Sequence, residues 1–119
     1  MRDFRKIKAF QYADDLAIEI YKATQKFPRE EIYGLTSQLR RAAVSVAANI
    51  AEGSSRPYLK EYIHFLHMAK GSLSEVEYLL SLAMRLGYLP SQNFEKTNNL
   101  TNQTAKTLYG LIQAVRKEM

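Results

Sequence analysis

The chain has no cysteine and no tryptophan, only two histidines, and just five glycines and three prolines in 119 residues. Without cysteine there is no disulfide, no thiol nucleophile and no thiolate-bound zinc. Two histidines are too few for a histidine-rich metal site. So little glycine and proline leaves scant material for the turns of a β-sandwich or for a disordered tail. The longest uncharged, apolar-leaning run, Ala42 to Ala51, is far shorter than the roughly 18 residues a membrane span needs. The opening stretch carries Arg2, Arg5, Lys6 and Lys8 against one acid, Asp3. It is too charged to begin a signal peptide, so a cytoplasmic protein with no membrane partner is expected.

What is present is an excess of positive charge and a strong helical pattern. Seventeen Lys and Arg face twelve Asp and Glu, a formal +5. A basic surface favours a polyanionic partner, because neutralising phosphates releases counterions. RNA or DNA is the partner this charge points to. The alternative is an ordinary basic protein, or a scaffold that meets acidic protein surfaces without touching nucleic acid.

Four segments carry apolar residues at three- and four-residue spacing, and none alternates at period two. The pattern predicts helices over residues 8–26, 30–52, 57–86 and 91–117, in one all-α domain spanning the chain. The first stripe is Ala9, Ala13, Leu16, Ile20, Ala23 and Phe27. The second is Ile32, Leu35, Leu39, Ala42, Val46, Asn49 and Gly53, with Glu30 and Glu31 placed to oppose the helix dipole. Gly53 is expected just past its end, where a positive φ is tolerated. The third stripe runs from Tyr62 through Leu66, Ala69, Leu73, Val76 and Leu80 to Ala83, and Gly87 is expected to end that helix. The fourth opens at Ser91 as N-cap. Its first half is polar and rich in Thr and Asn, so it is expected to fray. Short loops make the neighbours antiparallel, giving an up-down-up-down four-helix bundle.

Polar residues that depart from this pattern are the candidate site. Arg2, Arg5, Lys6 and Lys8 come first as phosphate contacts, followed by Arg40, Arg41, Arg56 and Lys60. Arg40 and Arg41, beside Gln38, also admit a structural reading in which a guanidinium pairs with a carboxylate. Packing of the second helix on the third would bring Arg41 to Glu75 or Glu77, whereas Glu52 lies too far along its own helix. Asn49 falls on a core stripe, where a buried amide sets register. Glu61, His64 and His67 give half of a carboxylate di-iron pattern, but no second Glu-x-x-His exists. Neither a Gly-x-Ser-x-Gly elbow nor a phosphate-binding Gly-Lys loop is present. No catalytic residue, metal or cofactor is therefore expected, and the protein is read as non-enzymatic.

Phe27 to Ser45, read as FPREEIYGLTSQLRRAAVS, then Asn49-Ile50-Ala51-Glu52-Gly53, Ala69-Lys70-Gly71-Ser72-Leu73 and Leu86-Gly87-Tyr88-Leu89, form a long ordered set of motifs. Together they resemble the family of proteins encoded in intervening sequences of bacterial 23S rRNA genes. The accessory variability determinant of diversity-generating retroelements is similar. The resemblance implies a four-helix bundle assembled as a homopentameric ring. For the retroelement relatives it also implies a basic accessory to a reverse transcriptase. Many relatives open the third helix with Ser or Thr three positions before Glu, a capping box. Here Tyr58 stands before Glu61, so the helix is expected to begin at Pro57.

Overall fold

The structure, a computed structural model, describes residues 2–119. Four helices follow one another: α1 (Lys8–Thr24), α2 (Leu35–Ser54), α3 (Leu59–Arg85) and α4 (Ser91–Glu118). Single 3-10 turns precede α1, at Phe4–Lys6, and α2, at Arg29–Glu31. There is no strand among the described residues. Each helix packs on its sequence neighbours, and α1 closes the ring onto α4. The product is an antiparallel up-down-up-down bundle with extents of 45 × 24 × 20 Å.

The stripes make the core. Every residue of the α3 stripe, from Tyr62 to Ala83, is buried. It meets Leu16 and Ile20 of α1, Leu39, Val46 and Ile50 of α2, and Leu108 and Val115 of α4 in one apolar cluster. Burying side chains of this size contributes roughly 1.5–3 kcal/mol each before ordering costs.

Five local expectations are corrected. α2 begins at Leu35, not at residue 30, because Arg29–Glu31 form a separate turn and the chain bends through Tyr33 and Gly34. Ile32 therefore leaves the stripe and is 49% exposed. From that turn Glu31 reaches forward: Oε1 accepts from the Leu35 amide at 3.0 Å, and Oε2 accepts from the Tyr88 hydroxyl at 3.1 Å. This carboxylate both caps α2 and pins it to the α3–α4 loop, and the hydrogen bond raises the Tyr88 pKa.

Gly53 does not follow α2 but lies inside it, buried. A Cβ there would stand 2.7 Å from the Phe65 Cβ, so the glycine exists for close approach of α2 to α3. α3 begins at Leu59, with Tyr58 in the cap position and no side-chain cap bond. α4 begins at Ser91, with Pro90 in the cap position.

The polar half of α4 does not fray. Thr97, Thr101 and Thr104 are buried, and their hydroxyls donate to the carbonyls of Asn93, Thr97 and Leu100 at 3.1, 2.8 and 2.7 Å. A threonine bonded back to its own helix presents only a methyl to the core. Gly87 does end α3, with φ of 80°. Its amide donates to Met84, and the Tyr88 amide donates to Ala83 at 2.9 Å, the paired bonds of a Schellman cap.

Candidate nucleic-acid interface

The antiparallel order brings the start of α1, the end of α2, the start of α3 and the end of α4 to the same end of the bundle. Arg2, Arg5, Lys6, Lys8, Arg56, Lys60, Arg116 and Lys117 gather there, against Asp3, Glu52, Glu61 and Glu118. This end thus carries an excess of four positive charges out of the +5 of the whole chain. Contacts between its elements confirm the gathering. The Arg2 guanidinium donates to the Arg56 carbonyl at 3.1 Å and lies 4.4 Å over the Tyr62 ring. Arg116 donates to His67 Nε2 at 3.3 Å.

Within this end, some cations are engaged and others are free. Arg2 donates to the carbonyls of Ser54 and Arg56, so it closes the C-terminus of α2, where carbonyls lack helical partners and the dipole favours a cation. The Arg2 side chain is thus a structural pin between the N-terminal segment and the end of α2. Arg56 bonds Glu52 Oε1 at 2.8 Å and stacks 4.8 Å over Phe65. Between them Arg2, Ser55 and Arg56 line an open depression of about 560 Å³. Arg5 pairs with Asp3 at 3.1 Å, and its hydrogen bonds hold the Asp3 carboxyl below the usual carboxylate range. Lys6, Lys8 and Lys60 are exposed and make no ion pair among the described residues.

Arg40 and Arg41 diverge. Arg40 Nε donates to Thr24 Oγ1 at 2.7 Å, and Nη2 donates to the Tyr21 carbonyl at 3.3 Å. The guanidinium lies 4.6 Å over the Tyr21 ring. Arg40 thus closes the C-terminus of α1 as Arg2 closes that of α2. Its partner is a helix end, not a carboxylate. Arg41 is exposed, and among the described residues it forms no ion pair with Glu75 or Glu77. The two positions diverge because neighbours on a helix point about 100° apart. Arg40→Ala is expected to cost about 1.5–3 kcal/mol, the range for hydrogen bonds to a charged group. Arg41→Ala is expected to cost under about 0.5 kcal/mol. Chemical denaturation of both variants checks the difference.

The remaining candidates are placed simply. Gln38, Glu75 and Glu77 are exposed. Asn49 is half-buried and donates to the Ser45 carbonyl and hydroxyl, while Ser45 and Ser72 hydroxyls meet at 2.9 Å. That chain ties α2 to α3. Glu61, His64 and His67 do not converge, and no metal-binding group of three or more His, Cys, Asp or Glu exists among the described residues. No described helix is long and apolar enough to cross a membrane.

One cluster escaped the sequence reading. His67 and Lys70 of α3 face Tyr109, Gln113 and Arg116 of α4 across a groove floored by Leu73, Leu108 and Ile112. Three-four spacing marks each half, but only the pairing of α3 with α4 makes them one site.

Comparison with known proteins matches the chain to a family. Residues 5–110 match the 23S rRNA-intervening sequence protein family. A crystal structure of a protein of unknown function from the S23 ribosomal protein family of Bacteroides thetaiotaomicron is similar, with a TM-score of 0.78 and 25% sequence identity. The match covers 87% of this chain and 97% of that one. No curated protein matches the chain.

Proposed function

The chain belongs to the 23S rRNA-intervening sequence protein family, and from that premise we propose that it is a non-enzymatic, cytoplasmic, homo-oligomeric bundle that binds RNA or DNA through its basic end. The observation that carries this reading is the collection of four excess positive charges where the helix ends meet. No groove-reading motif accompanies them, so binding discriminates little between sequences. A nucleic-acid enzyme such as a reverse transcriptase is the kind of partner such an accessory serves.

Self-association draws support from exposed apolar side chains on the outer faces. Ile18, Tyr21, Tyr33 and Val44 lie on the α1–α2 side, and Met68, Tyr78 and Leu86 lie along α3. Tyr21, Ile32 and Val44 line one open depression on the α1–α2 side, and contiguous apolar surface marks a contact site. Two different faces meeting head to tail close a ring, here of five copies.

Two measurements test the proposal. Native mass spectrometry is expected to return about five times the 13.7 kDa protomer; a stable monomer defeats the ring. Affinity for RNA or DNA is expected to fall steeply between about 50 and 200 mM salt. No retention at low salt, with acidic proteins still captured after nuclease treatment, replaces nucleic-acid binding by a scaffold role.

A further inference from the structure

We propose that the groove between α3 and α4 seats one unpaired base of a single-stranded nucleic acid, with the adjoining phosphate on Lys70 and Arg116. This rests on the nucleic-acid reading above and goes beyond it by naming the strand form and the seat. The groove opens from the basic end, since Arg116 belongs to both. A strand held at that end therefore reaches the groove through Arg116, which the two share.

The chemistry fits a nucleotide along the length of the groove. The floor is apolar, with Leu73 and Leu108 buried beneath it. Tyr109 stands at the rim, 64% exposed, offering a ring face for stacking. Its hydroxyl accepts from Gln113 at 3.2 Å, Gln113 Oε1 accepts from Arg116 at 3.4 Å, and Arg116 donates to His67 at 3.3 Å. This chain of bonds holds the cationic end in place before any ligand arrives, which lowers the cost of ordering it.

Glu77 lines the opposite end, seven residues from Lys70 on α3, or about 10 Å of helix rise. A phosphate at Lys70 thus leaves the carboxylate free to accept a base N–H. The space is about 140 Å³, and a cavity of about 150 Å³ holds benzene. One pyrimidine ring fits, while a paired duplex does not.

Base–aromatic stacking is lost on alanine substitution by a factor of about 5–150 per base. The test compares the wild type, Tyr109→Ala and Tyr109→Phe by fluorescence anisotropy, on a short oligouridylate and on a duplex of equal length. Tyr109→Ala is expected to weaken oligouridylate binding by that factor and leave the duplex unchanged, and Tyr109→Phe, which keeps the ring but loses the Gln113 bond, is expected to weaken oligouridylate binding less than Tyr109→Ala does and leave the duplex unchanged. Equal oligouridylate affinity for wild type and Tyr109→Ala overturns the proposal, as does a parallel loss on both probes. A wild type that holds the duplex but not oligouridylate overturns the groove alone, and one that holds neither overturns the nucleic-acid reading as well.

Discussion

Gly53→Ala is expected to destabilise the protein by about 1–3 kcal/mol, the usual cost of forcing extra atoms into a packed core. Helix propensity alone predicts the opposite sign, since alanine beats glycine by about 1 kcal/mol inside a helix. Sterics decide. The new Cβ would stand 2.7 Å from the Phe65 Cβ, 3.2 Å from Tyr62 Cδ1 and 3.3 Å from the Tyr62 carbonyl oxygen. Two of these three atoms lie close to the backbone of α3, so relief requires the helices to part. Both aromatics are also held from outside, Tyr62 beneath Arg2 and Phe65 beneath Arg56. Gly110→Ala is the control. It lies in helix α4 with nothing within 4 Å of the added carbon. There propensity acts unopposed, and stability is expected to rise by up to about 1 kcal/mol. Urea denaturation of the two variants checks the opposite signs, and a Gly53→Ala protein as stable as the wild type refutes the close approach.

How much of this was legible in the sequence depended on whether a residue's role is set by its own helix. The α3 stripe was fully legible, because seven residues at regular spacing share one face whatever packs on them. The start of α2 was not, because a Glu-rich 3-10 turn and the first turn of an α-helix carry the same residue types. The threonines of α4 misled for a related reason. Propensity counts the hydroxyl against the helix, while the folded chain returns it to the carbonyl one turn back and buries the methyl. Arg2 and Arg40 show the limit most sharply. Each is a basic residue to a reader of the chain, and each is spent on the end of another helix, 52 and 16 residues away from the groups it bonds. The basic end itself was half legible: the N-terminal cluster was evident, but its union with Lys60, Arg116 and Lys117 required the antiparallel order. The groove at Tyr109 needed that order too, and nothing in either helix alone announces it.

The largest effect on binding is expected from reversing three free cations together, Lys6→Glu, Lys8→Glu and Lys60→Glu. Each phosphate contact contributes roughly 0.7–0.9 to the slope of log affinity against log salt. Removing three lowers the slope by about 2–3 and the affinity near 0.1 M salt by about 100-fold or more. The same substitutions are not expected to harm the fold. Lys8 is the first residue of α1, Lys60 the second of α3, and Lys6 lies in the turn just before α1. These are places where the helix dipole disfavours a cation and favours a carboxylate. A carboxylate at these two helix N-termini therefore meets a favourable dipole, which offsets the loss of the cation. Thermal melting is expected to show the triple variant as stable as the wild type or slightly more so, while an electrophoretic mobility assay shows binding lost. A triple variant that retains wild-type affinity and salt dependence would move the interface away from this end of the molecule.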